Sequence, residues 1–291
     1  MTAISSNIGR DQNFSSSFPV ALTIAGSDSG GGAGIQADLR TFFAFHVHGL
    51  SVVTAVTAQN PQQVKHVMPV PAEMVVAQIE AVAEAFTIRA VKTGMLAQLP
   101  VIEQLYRHWP HLFGDTPLVV DPVMVSTSGS ALLDASAIEM LKEFITMHAT
   151  LVTPNLPEAE VLIGRELDGL EAIRASVPLF RALAHNVLIK GGHAADIDEV
   201  RDILITPRHV YCIATPRLAC QDTHGTGCTL SAAVAASIAL GHNLLDAVLM
   251  SRRFLHFALD NQKRFGPETY GFFPRLPLTG IGAHVTLSQW E

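Results

Sequence analysis

The chain alternates between short apolar, β-branched runs and longer segments with helical periodicity. Because the short runs are apolar at successive positions, they predict strands that are covered on both faces. The clearest runs are residues 19–25, 50–58, 90–93, 118–120, 151–153 and 187–189. Two later runs, 202–205 and 209–214, lie close together and predict an edge hairpin.

Helical patterns fill the gaps between these runs. In residues 72–86, for example, Val75, Ile79, Val82 and Phe86 fall on one apolar stripe. The other predicted helices are 35–45, 135–147, 170–184 and 226–240. This alternation predicts an α/β fold, a three-layer α/β/α sandwich with a mainly parallel central sheet. One domain is expected over residues 18–265, with a disordered tail at 1–17 and a C-terminal tail of unknown role at 266–291.

Composition narrows the class of protein. Hydrophobic residues make up 48% of the 291 residues and charged residues only 15%, against about 25% in a typical protein. The net charge is −7, and no Lys/Arg run exceeds the pair Arg252-Arg253, which argues against nucleic-acid binding. No span of about 20 apolar residues is uninterrupted, which argues against a membrane protein.

The N-terminal residues and the cysteines predict the cellular location of the protein. Residues 1–17 contain five serines and no apolar core, so they do not have the pattern of a secretory signal. Cys212, Cys220 and Cys228 are eight residues apart, a spacing that fits neither a disulfide framework nor a C-x-x-C motif. A reducing cytoplasm is therefore the expected location.

Glycines or polar residues follow most of the predicted strands. In an open α/β sheet, ligands bind beyond the carboxyl ends of the strands, so these residues predict one crevice. The segments are Gly26-Ser27-Asp28, Gln59-Asn60, Lys92-Thr93-Gly94, Asp121-Pro122, Asn155 with Glu158, Lys190-Gly191-Gly192 and Asp222-Thr223-His224-Gly225.

Residues 26–38, GSDSGGGAGIQAD, form the first glycine-rich segment. Between a strand and a helix it offers close backbone approach and N–H groups at a helix start, or else it is only a flexible turn. It lacks the Gly-Lys-Ser/Thr of a phosphate-binding P-loop. It is also a poor dinucleotide site, because no Asp or Glu occurs from Leu39 to Ala72, and this weighs against an NAD-dependent oxidoreductase.

The second glycine-rich segment is residues 222–228, DTHGTGC, which leads into an alanine-rich helix. Gly225 and Gly227 expose backbone N–H groups at the positive end of that helix, where the anionic group being transferred would be held. Cys228 would sit in the first turn, where a thiol can have a lowered pKa and act as a base. Cys212 and Cys220 are interpreted as small buried hydrophobes.

Two further segments carry charged groups at strand ends. Asn155 and Glu158 either cap a helix or place a carboxylate near Asp121 to hold Mg²⁺ through water. Lys190, at the end of an apolar strand and before two glycines, is placed to reach a polyphosphate. Lys92 is placed similarly, but a lysine that extends into solvent from a strand end is the favoured interpretation there.

Seven motifs in this order carry a family resemblance. They are AGSDSGGGAGIQADL, TAQN, VKTGML, DPVM, TPNLPEAE, IKGGH and DTHGTGC. From about residue 19 to 257, the chain resembles hydroxymethylpyrimidine/phosphomethylpyrimidine kinases of thiamine biosynthesis, within the ribokinase-like superfamily. The resemblance implies a homodimer that uses ATP and Mg²⁺. It also implies two successive phosphorylations, of 4-amino-5-hydroxymethyl-2-methylpyrimidine and then of its monophosphate.

The resemblance also implies roles for individual residues. Cys228 would be the catalytic base in place of the superfamily's usual aspartate, with Gly225 and Gly227 around the transferred group, and Asp121 and Glu158 would serve the metal. Gln59 would pair with the aminopyrimidine edge, since an amide offers a donor and an acceptor. The expected substrate pocket is Gly26, Ala33, Asp38, Gln59, Met95 and Val123. The residues expected to bind ATP are Asn155, Lys190, Thr223, Gly225 and Gly227.

Two segments depart from the family pattern. Ser126-Thr127-Ser128 stands where many members have Ala-Lys before a glycine, and the segment after Phe265 matches no family pattern.

A pyridoxal or pyridoxine kinase is the nearest alternative function, because its substrate is also a hydroxymethyl heteroaromatic. A non-catalytic regulator that binds a pyrimidine or pyridoxal phosphate on the same fold is another.

Overall fold

A computed structural model describes residues 18–124, 133–193, 198–220, 222–266, 269–271 and 285–290. The strands in these ranges are β1 (Val20–Ser27), β2 (His48–Asn60), β3 (Gln63–Pro69), β4 (Ala90–Thr93), β5 (Leu118–Val120), β6 (Leu151–Val152), β7 (Val187–Ile189), β8 (Glu199–Ile205), β9 (Val210–Pro216), β10 (Lys263–Arg264), β11 (Tyr270–Gly271) and β12 (Thr286–Trp290). The helices are α1 (Gly34–Ala44), α2 (Ala72–Ala85), α3 (Leu99–Leu112), α4 (Ala135–His148), α5 (Leu156–Ile163), α6 (Gly169–Ala175), α7 (Val177–Leu183), α8 (Thr226–Ala239) and α9 (Leu244–Asp260).

Ten strands form the main sheet, in the order β12-β9-β8-β7-β6-β5-β4-β1-β2-β3. The pairs from β2 through β1, β4, β5 and β6 to β7 are parallel, and the strands outside them pair antiparallel. The predicted mainly parallel centre is confirmed. Because six parallel strands end at the same edge, the segments that follow them meet there.

Each face of the sheet carries its own apolar core. On one face α1, α8 and α9 bury residues such as Phe42 and Phe254, and on the other face α2 to α5 and α7 bury Ile79, Trp109 and Phe180. The predicted three layers are therefore confirmed. Burial on both faces explains the low share of charged residues, because only the outer sides of the helices and the sheet edges meet water.

β3, α3 and α9 are elements that the sequence prediction did not name, and three further differences lie in the second half of the chain. The single helix expected at 170–184 is broken at Ser176 into α6 and α7, because Pro178 opens α7 and cannot continue a helix from the preceding turn. β8 and β9 do form the predicted hairpin, but β9 is not the edge, since β12 pairs antiparallel beside it. β12 lies within the segment 266–291, and Trp290 packs against the core with the Arg174 guanidinium 4.8 Å from its ring centre.

Residues 1–17 and Ser126-Thr127-Ser128 lie outside the described ranges. Among the described helices, none combines the length and the apolar character that a membrane crossing requires.

Candidate active site

A cavity of about 780 Å³ opens where the parallel strands end. Its walls come from the ends of the parallel strands and the segments that follow them, from the start of α8, and from parts of β3, β8, β9 and α9. The structure thus brings together segments that are up to 200 residues apart in the chain. The predicted site residues on its walls are Gly26, Ala33, Gln59, Met95, Val123, Asn155, Glu158, Lys190, Thr223, Gly225, Gly227 and Cys228.

Asp38 does not lie on the cavity wall, contrary to the expectation that it lines a substrate pocket. It is fully buried on α1, where its Oδ2 accepts hydrogen bonds from Thr23 Oγ1 at 2.6 Å and from Lys92 Nζ at 2.8 Å. The interpretation of Lys92 as a solvent-reaching lysine is also wrong, because this side chain is 0% exposed. The two charges compensate each other in the core beside Cys228, and neither was predictable from spacing along the chain.

We expect Lys92→Met to lower the free energy of unfolding by about 3–5 kcal/mol, because it leaves the buried Asp38 carboxylate without its cation. Urea denaturation followed by circular dichroism measures this loss. The double variant Asp38→Leu/Lys92→Met removes both charges and should recover most of the stability. A double variant as unstable as the single one would show that the loss of stability comes from packing and not from the uncompensated charge.

Asp28 organises the first glycine-rich segment. Its carboxylate accepts hydrogen bonds from the backbone N–H groups of Gly30, Gly32 and Ala33 at 2.8–3.0 Å. These N–H groups are therefore occupied, and this segment is not the anion site that its glycines suggested. Burial opposes the ionisation of Asp28, but its hydrogen bonds to His224 and to the backbone outweigh burial and lower its pKa.

The second glycine-rich segment has the geometry of an anion site. Gly225 has φ +80°, and an added Cβ there would lie 1.9 Å from the carbonyl oxygen of Gly32, so only glycine fits. α8 begins at Thr226, and the N–H groups of its first turn have no partner within a helix. A Cβ built on Gly227 would lie 3.2 Å from Lys190 Nζ. A helix start and an ammonium group therefore face the same space.

Cys228 lies in the first turn of α8 and is partly exposed to this space. The prediction that this thiol has a lowered pKa is wrong. Burial raises the pKa of the thiol to about 11, Asp38 and Asp121 act in the same direction, and the opposing effects of Lys92 and the Gly34 N–H are smaller. The thiol is therefore protonated at neutral pH.

Lys190 is held by two carboxylates. Its Nζ lies 2.7 Å from Asp121 Oδ1 and 3.9 Å from Glu158 Oε2. Asp121 is buried behind the cavity wall, and burial opposes its ionisation, but Lys190 and Lys92 outweigh burial and lower its pKa. Burial raises the pKa of Glu158 to about 7, although Lys190 opposes this shift.

The capping interpretation of Asn155 and Glu158 is confirmed. Asn155 Oδ1 accepts from the Glu158 N–H at 2.9 Å, and Glu158 Oε2 accepts from the Asn155 N–H at 2.8 Å. Within the described ranges these contacts and the one to Lys190 engage Oε2 alone, which leaves Oε1 for a ligand. Capping and ligand binding are therefore compatible in the same carboxylate.

Gln59 lines the cavity near the end of β2, and its backbone is fixed by hydrogen bonds in both directions with the Ser29 hydroxyl. Its amide nitrogen is 3.4 Å from His224 Nε2, which also contacts Asp28 Oδ2 at 3.0 Å. Asp28 and His224 lie in segments predicted to form the crevice, but neither was given an individual role. Their positions inside the two glycine-rich motifs were the available signal.

A helix start and an ammonium group that face an open, largely apolar crevice are typical of proteins that bind or transfer a phosphate-bearing group. Comparison with known proteins names the family. The family model described as phosphomethylpyrimidine kinase matches residues 28–272, and the chain belongs to that family. The resemblance found in the sequence motifs is confirmed.

Individual relatives agree with this assignment. A protein of Rhizobium meliloti (strain 1021), named hydroxymethylpyrimidine/phosphomethylpyrimidine kinase, is 45% identical over 84% of this chain and 92% of its own length. The structure of phosphomethylpyrimidine kinase from Clostridium difficile 630 has a TM-score of 0.72 and 38% identity, over 82% of this chain and 98% of that one. Pyridoxal kinase from Staphylococcus aureus, in complex with AMP-PCP, has a TM-score of 0.84 and 30% identity, over 94% and 100%.

Proposed function

We propose that this protein is an ATP-dependent kinase of thiamine biosynthesis. It phosphorylates the hydroxymethyl group of 4-amino-5-hydroxymethyl-2-methylpyrimidine and then phosphorylates the monophosphate to the diphosphate. The observation that carries this proposal is that the α8 start at Gly225 and Gly227 and the Lys190 ammonium face the same space in the cavity that Gln59 also lines. The names of the relatives support the choice of substrate.

In this proposal the chain works mainly by alignment and charge neutralisation. The N–H groups at the start of α8 and the Lys190 ammonium hold the transferred phosphoryl group. Gln59 presents a donor and an acceptor to the aminopyrimidine edge. Cys228 Sγ, as the thiolate, takes the hydroxyl proton while the substrate oxygen bonds to the γ-phosphorus and ADP leaves.

The carboxylates near Lys190 fit a magnesium ion that arrives with the nucleotide. Among the described residues there is no group of three or more His, Cys, Asp or Glu side chains that could hold a metal ion. Mg²⁺ at phosphoryl-transfer sites takes one or two carboxylates and completes its shell with water and phosphate, whose charge it neutralises. Glu158 Oε1 suits this role directly, whereas Asp121 is engaged by Lys190 and Ser231.

A pyridoxal kinase is the second candidate, and the higher TM-score of the Staphylococcus aureus pyridoxal kinase favours it. ATP consumption, measured with the aminopyrimidine alcohol, its monophosphate, pyridoxal and pyridoxine, separates the candidates. We expect turnover of both pyrimidines, with the highest kcat/KM for one of them. A higher kcat/KM for pyridoxal would establish the second candidate, and tight binding without ATP use would establish a non-catalytic regulator.

We expect Gln59→Leu to raise the KM for the aminopyrimidine alcohol about 10- to 100-fold, because it leaves the ring edge without both hydrogen bonds. The KM for ATP should stay within about twofold of wild type. Gln62→Leu makes the same change at an exposed position three residues away and serves as the control. Equal effects of the two variants on the alcohol KM would remove Gln59 from the substrate site.

We also propose that the protein is a cytoplasmic homodimer. Val56 and Met68, which pair across β2 and β3, expose apolar side chains, and Met68 is 64% exposed. A second copy is the proposed cover for this surface, which light scattering of the purified chain tests. The free cysteines Cys212, Cys220 and Cys228 motivate the reducing location.

A further inference from the structure

A buried carboxylate holds the turn that carries Lys190. Asp202 on β8 is 1% exposed, and its Oδ1 accepts a hydrogen bond of 2.8 Å from the Gly191 N–H. An added Cβ at Gly191 would lie 1.9 Å from the carbonyl oxygen of Arg201, so the turn is pressed directly against β8. The position of Lys190 therefore depends on this contact.

The charge of Asp202 is compensated from a third element. Arg252 on α9 places Nε 3.5 Å from Asp202 Oδ2, and within the described part of the chain Oδ2 makes no hydrogen bond. The guanidinium is oriented by Thr215 on β9, whose Oγ1 accepts from Arg252 Nε at 3.1 Å and from Nη2 at 2.7 Å. Strands β8 and β9 and helix α9 thus converge behind the Lys190 turn.

The same arginine lies on the cavity wall. Arg252 lines it next to Leu255, with Val200 and Pro216 at the ends of the β8–β9 hairpin nearby. Gly192, which follows the Lys190 turn, lines the same cavity. A nucleotide with its terminal phosphates at Lys190 would therefore share this cavity with Arg252.

We propose that Asp202 and Arg252 are positioning residues for the nucleotide. Asp202 fixes the turn that presents Lys190, and Arg252 fixes and neutralises the Asp202 carboxylate. Without Arg252, an uncompensated negative charge would lie next to the polyphosphate and repel it. The inference rests on the proposed function, because it assumes that a nucleotide binds at Lys190.

Titration calorimetry of the full-length protein with AMP-PCP and with AMP tests this proposal without requiring turnover. We expect Arg252→Gln to weaken AMP-PCP binding about tenfold and AMP binding less than about threefold, since repulsion grows with the number of phosphate charges. Arg253→Gln removes the same charge from an exposed neighbour on α9 and should bind both nucleotides like wild type. Asp202→Asn/Arg252→Gln should recover most of the loss, because asparagine still accepts from Gly191 without a charge.

Wild-type affinity of Arg252→Gln for both nucleotides, with only a lower melting temperature, would overturn the proposal and reduce Arg252 to a packing role. Equal weakening for AMP and AMP-PCP would also overturn it. If Arg252→Gln does not fold, Thr215→Val keeps every charge and should weaken AMP-PCP binding about threefold through loss of the guanidinium orientation. If wild-type protein binds neither nucleotide, the proposed function fails together with this inference, whereas failure of the inference alone leaves wild-type binding intact.

Discussion

Replacing Gly227 with aspartate is expected to reduce kcat/KM for phosphoryl transfer at least about 10³-fold. A Cβ at this position points toward Lys190 Nζ at 3.2 Å and Asp121 Oδ2 at 3.7 Å. The new carboxylate would pair with Lys190 and occupy the space that the start of α8 offers to an anion. The transferred phosphoryl group would then lose its cation and meet a negative charge.

The charge and the size of the new side chain can be separated. Gly227→Asn has nearly the same volume without the charge, and Gly227→Ala adds only a Cβ, whose nearest neighbour is Lys190 Nζ at 3.2 Å. We expect a loss below about tenfold for alanine and a smaller loss for asparagine than for aspartate. Steady-state kinetics of the three variants separates the effects of charge and size. Equal losses of kcat/KM for asparagine and aspartate would show that crowding, and not charge, lowers the activity.

The sheet was the most predictable part of the fold. β4, β5 and β7 begin and end where the predicted runs do, because all of their residues are buried and all but Lys92 and Thr93 in β4 are apolar. β12 was not predictable in this way, since four of its five residues are exposed and the fifth, Trp290, packs against the core. A strand at a sheet edge has neither face fully buried, so its pattern is not distinctive.

The site was predictable as a set of segments but not as a set of contacts. Glycines and polar residues after parallel strands mark the crevice, since topology alone brings strand ends together. Which side chains face the ligand depends on pairs distant in the sequence. Asp38 and Lys92 are 54 residues apart, and their contact holds Asp38 off the cavity wall while Lys92 remains on it. Asp28 occupies N–H groups that a glycine pattern alone presents as open.

Replacement of Cys228 is expected to cause the second large loss of activity. We expect Cys228→Ala to lower kcat about 10²- to 10⁴-fold, the contribution of a positioned base, while the affinity for AMP-PCP stays within about twofold of wild type. The anion site explains the unchanged affinity, because the backbone N–H groups and Lys190 hold the phosphates in either variant. Kinetics and titration calorimetry together measure this split, and wild-type turnover in the variant would make Cys228 a packing residue.

The pH profile of the same reaction tests the role of the thiol. With its pKa raised to about 11, Cys228 is mostly protonated at pH 7, and the thiolate fraction rises about tenfold for each pH unit below that value. If thiolate formation limits proton removal, kcat of the wild type rises with pH between 7 and 10. Cys228→Asp places a more acidic base at the same position and should give a flatter profile over this range. A flat wild-type profile, or an equal rise in Cys228→Ala, would show that another group accepts the proton.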